Sequence, residues 1–308
     1  MPLRLIPDET KIPFMRYAPL AFPVSLLAMV ASLTLYFVIG LNLGIDFKGG
    51  TLIEVKSTAA EADIGGIRAR IGRLGLGDVE VQGFGAPDEV LIRIEAQSGG
   101  EAGQQVAVKA VQEALGFADY EYRRVEVVGP KVSGELAQTG TIAVLVTLFG
   151  VLTYIWFRFE WQFAIGAVAA LIHDVVLTIG FFAIIQLEFN LSSIAAILTI
   201  VGYSINDTVV VYDRVRETLR KFKQMTIADL IDLAVNQTLS RTILTSLTTL
   251  IALGALFFFG GAVIRSFTAA MIWGVFVGTY SSVFIAAPIL IYFKLRPAAA
   301  GAAGPSKA

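Results

Sequence analysis

The chain has 308 residues, 56% of them hydrophobic and only 16% charged, with 24 Lys+Arg set against 25 Asp+Glu. Soluble domains carry roughly 25% charged residues, so a soluble single-core protein is excluded, and the near-neutral balance gives no sign of a nucleic-acid partner. With no cysteine and one histidine, no disulfide framework and no His/Cys cluster for zinc, haem or iron–sulfur can form, and the lack of cysteine fits an oxidising compartment.

In chain order, residues 1–16 form a short N-terminus carrying Arg4, Lys11 and Arg16. Tyr17 to Gly40 is free of charge and long enough for the roughly 20 apolar residues that a membrane-spanning helix needs. It is longer than a signal-peptide core and has no small-residue cleavage site, which makes it a retained anchor. Residues 41–135 hold 15 acidic and 10 basic residues and read as a domain in water. Their pattern predicts strands over Thr51 to Lys56, Val79 to Phe84, Val90 to Glu95 and Tyr120 to Val128, with helices over Ala60 to Leu74 and Glu101 to Leu115. That βαββαβ order is ferredoxin-like, an α+β domain with two helices on one face of an antiparallel sheet and a turn at Gly85 to Asp88. Gly72, Gly75 and Gly77 follow a helix rather than opening one after a strand, so they read as a turn and not as a nucleotide cradle.

Five further apolar runs fill residues 136–293: Leu136 to Phe157, Trp161 to Leu187, Phe189 to Tyr212, Thr242 to Ile264 and Ser266 to Phe293. The fold class is therefore an α-helical polytopic membrane protein with six transmembrane helices and the α+β domain between helices one and two. The loop over residues 213–241 carries Arg214, Arg216, Arg220, Lys221 and Lys223, whereas Gln186 to Leu191 holds no base. The basic loop is thereby placed in the cytoplasm, with both termini on that side, Lys294 and Arg296 closing the last helix there, and the outer domain in the periplasm. Residues 294–308 are rich in Ala, Gly and Pro and read as a disordered tail.

Only Asp174 and Asp207 place formal charge inside these spans, with Arg241 at the entry of the fifth. A carboxylate in hydrocarbon is expensive and faces the bundle interior, pairs with a cation or is protonated, so function is the default reading. Asp207 is expected about 9 Å inside the boundary near Asp213, counting 1.5 Å per residue, with Arg241 at a similar depth. Thr245 and Thr248 share the face of Arg241, and Ser246 and Thr249 widen a stripe of hydroxyls able to order water or bridge helices. The alternative is a fixed ion pair that staples two helices. His173 and Asp174, being adjacent, are expected to point apart and to need different partners; His173 shares a stripe with Gly166, Ala170 and Gly180, where an interhelical hydrogen bond is as natural as proton transfer. Gly274 and Gly278 form a G-x-x-x-G packing face whose polarity Thr279, Ser281 and Ser282 extend, and Pro23 and Pro288 are expected to kink their helices. No phosphate-binding G-x-x-x-x-G-K-[ST] segment occurs, and no nucleophile, base and orienting acid assemble, so the chain does not read as an enzyme.

Three segments carry a resemblance: GIDFKGG at residues 44–50, VGYSINDTVVVYDRVRE over Val201 to Glu217, and NQTLSRTILTSLTTL over Asn236 to Leu250. They resemble the SecD/SecF family of the bacterial Sec export machinery, a likeness that extends from Ile12 to Phe293. The resemblance implies the SecF half of a resistance-nodulation-division (RND) type bundle, with SecD supplying the other half. It implies an accessory to the SecYEG channel in the inner membrane that uses the proton-motive force to help a translocating polypeptide leave on the outer side. Protons are then the coupling ion and no other cofactor is expected. Asp207 and Arg241 match the family's proton-pathway acid and base, with Asp174 and His173 as further relay candidates and Asn206, Thr245 and Thr248 as supporting polar groups. Competing readings are a passive scaffold of the translocase and, ranked last, half of an RND-like exporter of small molecules or lipids. The GIDFKGG segment reads as a structural hinge, with Asp46 and Lys48 solvated.

Overall fold

The computed structural model describes residues 10–261, 263–293 and 295; the expectations for residues 1–9, for Lys294 and Arg296 and for the tail lie outside the described residues. Among the described residues, six helices are long and apolar enough to cross a membrane: α1 (Phe14–Val38), α5 (Pro130–Arg158), α6 (Trp161–Ile185), α7 (Leu191–Lys221), α8 (Ile227–Phe259) and a sixth span over Arg265–Tyr292. The sixth is segmented into α9 (Arg265–Ser281), a π-helical turn (Ser282–Ala286), α10 (Ala287–Ile289) and a 3-10 turn (Leu290–Tyr292). Pro288 thus sits just past a π-turn, a common way of absorbing a lost backbone donor, whereas Pro19 and Pro23 lie inside an uninterrupted α1.

Among the boundaries that differ from the sequence expectation, two lie where the bundle's helices begin or join. The bundle's second span begins at Pro130, not at 136, because Pro130 occupies the first turn of α5, where its missing N–H is not needed. The segment 213–241 is not a loop: α7 runs to Lys221 and α8 starts at Ile227, capped by Thr226 Oγ1, which accepts from the Asp229 N–H at 3.1 Å. Charge on the outer face hid this continuation, while Val215 and Thr218 stay buried and Leu230, Ile231 and Ala234 are buried in the same core region.

α6, α7 and α9 form the middle of the bundle, and α1, α5 and α8 leave most of their apolar surface outward, with Leu27, Phe149 and Phe258 exposed. Close approach is made by small residues, as expected where lipid supplies no hydrophobic drive between helices. A Cβ on Gly274 would strike Ile200, and one on Gly278 would lie 3.0 Å from the Ser204 Cβ, so G-x-x-x-G seats α9 on α7. Gly180 is equally closed by Ser32 of α1, and Gly166 by the Tyr212 hydroxyl.

After α1 come α2 (Ile45–Lys48), β1 (Gly50–Ser57), α3 (Ile64–Gly72), β2 (Val79–Phe84), β3 (Ala86–Ile94), α4 (Gly100–Leu115) and β4 (Tyr120–Val128). The sheet order is β2-β3-β1-β4, antiparallel throughout, with Ile53 opposite Ile92 and Val125. Alternation sends Ile53, Val55, Val90 and Ile92 into a core with Ile67, Ile71 and Val111 of the helices. Leu52 and Leu91 point to the opposite face and meet Ile45. The turn expected over 85–88 shrinks to Gly85 (φ +83°), since Ala86, Pro87 and Asp88 already belong to β3.

The junction with the bundle is specific. Gly44 N–H donates to the Phe189 carbonyl (2.8 Å) and Phe189 N–H to the Asn42 carbonyl (2.7 Å), so the segment after α1 pairs with the α6–α7 connection. Asp46, expected to be solvated, accepts from the Leu191 N–H at 2.9 Å and so satisfies a free donor at the start of α7. Gly49 (φ +72°) and Gly50 (φ +121°) make the turn into β1, and a side chain on Gly50 would collide with the Ile94 carbonyl. Arg93 of β3 bridges Glu80 (2.9 Å) and Glu188 of the α6–α7 connection (3.1 Å), and donates to Asn42 Oδ1 (3.1 Å). Burial pushes the Glu188 carboxyl above its usual range, and the Arg93 guanidinium pulls it partly back. A raised carboxyl contributes stability that is present at low pH and lost as pH rises through its folded value, and removing Arg93 moves that loss to higher pH. Arg93→Ala is therefore expected to shift Glu188 titration upward and to loosen the junction by roughly 1–3 kcal/mol at neutral pH. Faster amide exchange over residues 186–191, with the transmembrane helices unchanged, would register it; unchanged exchange would show that the bridge holds nothing.

Candidate functional site

Both buried carboxylates face the interior. Asp174 sits at the centre of α6 and is fully buried. Its Oδ2 accepts from Ser204 Oγ of α7 (2.5 Å) and from Ser281 Oγ of α9 (2.8 Å), and its Oδ1 lies 3.0 Å from His173 Nδ1. Adjacent residues were expected to point apart. The structure corrects this: both belong to the inner arc of α6, and the imidazole folds back onto its neighbour. The His173 ring also stacks on Tyr280 (5.9 Å between centroids), whose hydroxyl is 2.9 Å from Ser25 Oγ of α1, while His173 Nε2 is buried without a hydrogen-bond partner among the described residues. One turn further on, Thr208 Oγ1 lies 2.8 Å from Ser282 Oγ at the π-turn. One polar hub therefore joins α1, α6, α7 and α9.

Asp207 lies on α7 between Ser204 and Thr208 and is 8% exposed. Its Oδ1 accepts from Thr242 Oγ1 of α8 at 2.5 Å; its Oδ2 is buried and has no hydrogen-bond partner among the described residues. Arg241 precedes Thr242 but is exposed, and its charge reaches Asp207 only through space. The ion pair between Asp207 and Arg241 that depth alone allowed is not formed within 4.0 Å among the described residues. At i and i+1 the two α8 side chains point about 100° apart, and Thr242 takes the inward one.

Thr245 and Thr248 do share the face of Arg241, and that face points out of the chain: their hydroxyls donate to the Arg241 and Leu244 carbonyls of their own helix. Asn206 is exposed and makes no side-chain hydrogen bond among the described residues. Within the predicted stripe the inward group is Ser246, 2.9 Å from Thr279 Oγ1 and accepting from the Tyr203 hydroxyl at 3.2 Å. Thr242, Ser204 and Thr208 were missed as site residues. Helical spacing could have found Ser204, at i−3 of Asp207, and through it Thr208, which follows Ser204 at i+4 on one face.

This arrangement defines a class: a polytopic helical membrane protein with a small α+β domain after its first span and carboxylates held at the centre of its bundle. The family described as protein export membrane protein SecD/SecF, C-terminal, matches residues 107–296, and the SecD/SecF GG motif matches residues 37–61. A protein translocase subunit SecF from Rhodobacter capsulatus is 48% identical over 95% of this chain and 92% of its own length. A protein translocase subunit SecDF from Brucella abortus is 46% identical over 96% of this chain, which spans 39% of that relative. The crystal structure of SecDF from Thermus, described as a translocon-associated membrane protein, superposes with a TM-score of 0.83 at 34% identity, over 95% of this chain and 40% of that one. The chain belongs to the SecD/SecF family of protein export membrane proteins.

Proposed function

We propose that the chain is the SecF-type half of an accessory to the Sec translocase, which with a SecD half uses the proton-motive force to promote export of polypeptides through SecYEG. It makes no pore and catalyses no covalent step; protons are its coupling ion. Pairing is supported by the SecDF relatives, of whose length this chain spans 39% and 40%, and by the outward face of α8, where Arg241, Thr245 and Thr248 offer polar groups to a second RND-type half-bundle. The sheet order β2-β3-β1-β4 supports a ferredoxin-like domain, placed in the periplasm of an inner-membrane protein whose termini are cytoplasmic.

The observation that carries proton coupling is Asp207: a buried carboxylate with one oxygen bonded to Thr242 and the other without a partner among the described residues. Asp174 has hydrogen-bond partners at both oxygens, whereas Asp207 Oδ2 is available to take up a proton within a bundle interior, where ionisable residues mark relays. Membrane potential supplies about 2.3 kcal/mol per charge per 100 mV. The test is export in membrane vesicles containing SecYEG, SecD and this chain, with and without an uncoupler. Stimulation by the chain should vanish when the gradient is collapsed. Stimulation that survives would leave a passive scaffold.

Topology has its own check, clean because the chain has no cysteine. Cysteines at Gly85 and Gly100 should react with an impermeant thiol reagent from outside, and one at Lys221 only after lysis. The reverse labelling would overturn the orientation.

A further inference from the structure

Where α5 ends against α7, Arg158, Asp213, Arg216, Glu217, Arg220 and Lys221 line an open basin of about 650 Å3. Four cations face two carboxylates, and both carboxylates are engaged. Arg158 Nη2 donates to the two oxygens of Asp213 at 2.8 and 2.7 Å, and Glu217 pairs with Arg214. Arg216, Arg220 and Lys221 are left without a carboxylate partner among the described residues. Part of the basin is built rather than floppy: the guanidinium groups of Arg158 and Arg216 lie over the buried Phe159 ring at 4.9 and 5.7 Å, and that ring is wedged against Phe163 and Tyr212. Beside it, on the membrane-facing surface, Tyr154, Trp156, Phe157 and Trp161 are all more than half exposed, the composition of a bilayer interface.

We propose that this basin binds the headgroup of an anionic phospholipid, its phosphate held by Arg216, Arg220 and Lys221 and its acyl chains lying along α5. A guanidinium fork suits phosphate, and unpaired cations beside interfacial aromatics at the end of a membrane helix face the lipid headgroup layer rather than open water. The site is separate from the buried carboxylates and does not depend on proton coupling.

The test is native mass spectrometry of the purified full chain titrated with phosphatidylglycerol or, in parallel, with phosphatidylcholine of the same acyl chains. Wild type should retain phosphatidylglycerol preferentially. The triple variant Arg216→Gln, Arg220→Gln, Lys221→Gln should lose retention roughly 100-fold, counting roughly fivefold for each of three cations. The control triple Arg73→Gln, Lys109→Gln, Lys131→Gln, on the outer domain and the start of α5, should retain lipid as wild type does. Should the basin triple fail to fold, wild-type retention measured against salt decides: it should fall as potassium chloride is raised. Equal retention of both lipids, or unchanged retention in a folded basin triple, overturns the proposal. Displacement of the lipid by millimolar inorganic phosphate also overturns it, in favour of a free-anion site.

Discussion

Asp207→Asn should abolish the gradient-dependent part of export while leaving the chain inserted and folded. The asparagine oxygen can accept from Thr242 Oγ1 as Asp207 Oδ1 does at 2.5 Å, so shape and the one interhelical hydrogen bond survive and stability should stay within about 1 kcal/mol of wild type. What disappears is the titrating group. A carrier that cannot take up and release a proton cannot cycle, and stimulation should fall at least about tenfold, to the level seen with an uncoupler. The check is export in vesicles with and without the gradient, alongside thermal unfolding of the purified variant. Normal gradient-driven export by Asp207→Asn would remove this carboxylate from the pathway. Arg241→Leu separates two roles in the same assay. The guanidinium makes no ion pair or hydrogen bond with the described residues, so the isolated chain should melt as wild type does, while export should suffer if Arg241 meets Asp207 only in the assembled transporter.

Much of the fold is legible because hydrocarbon imposes a simple code. Four charge-free runs and two more, one interrupted by His173 and Asp174 and the other by Asp207, found six spans, and alternation found the four strands with their helices between them. The ends were less legible, and for a physical reason: beyond Asp213 the inner face of α7 stays apolar at Val215 while charge gathers outside, so a count of charge mistakes a helical hairpin for a loop. Which residues touch was harder still. Asp174 and Asp207 stood out by their rarity, yet the groups that hold them are serines and threonines, common in membrane helices and informative only once the faces are known. Thr242 was hidden beside the more conspicuous Arg241, and a rotation of about 100° decides which of the two points inward. The Asp46 contact to the start of α7 joins positions 145 residues apart and leaves no local trace.

The two carboxylates should part company under the same substitution. Asp174 is saturated: Ser204 and Ser281 share one oxygen and His173 approaches the other. In Asp174→Asn the amide oxygen can accept from both hydroxyls, and the amide N–H can donate to His173 Nδ1 once the ring adopts its other tautomer. Stability should change by less than about 1 kcal/mol, and gradient-driven export should persist, because a staple needs hydrogen bonds and not a proton. Asp174→Leu removes the two interhelical bonds from Ser204 and Ser281 and the His173 contact within α6; at about 0.6–1.7 kcal/mol for each interhelical bond, the loss is roughly 1–3 kcal/mol and the yield of folded protein should drop. The serines give a finer order. Ser281 Oγ can fall back on the Gly278 carbonyl, which already lies 3.1 Å away, whereas Ser204 Oγ donates, among the described residues, to Asp174 alone. Ser204→Ala removes the shorter of the two hydroxyl contacts, so it should lower the unfolding temperature more than Ser281→Ala. If Asp174→Asn instead melts normally but exports as poorly as Asp207→Asn, the proton crosses both carboxylates, and the hub of α6, α7 and α9 belongs to the path rather than to the frame that holds it.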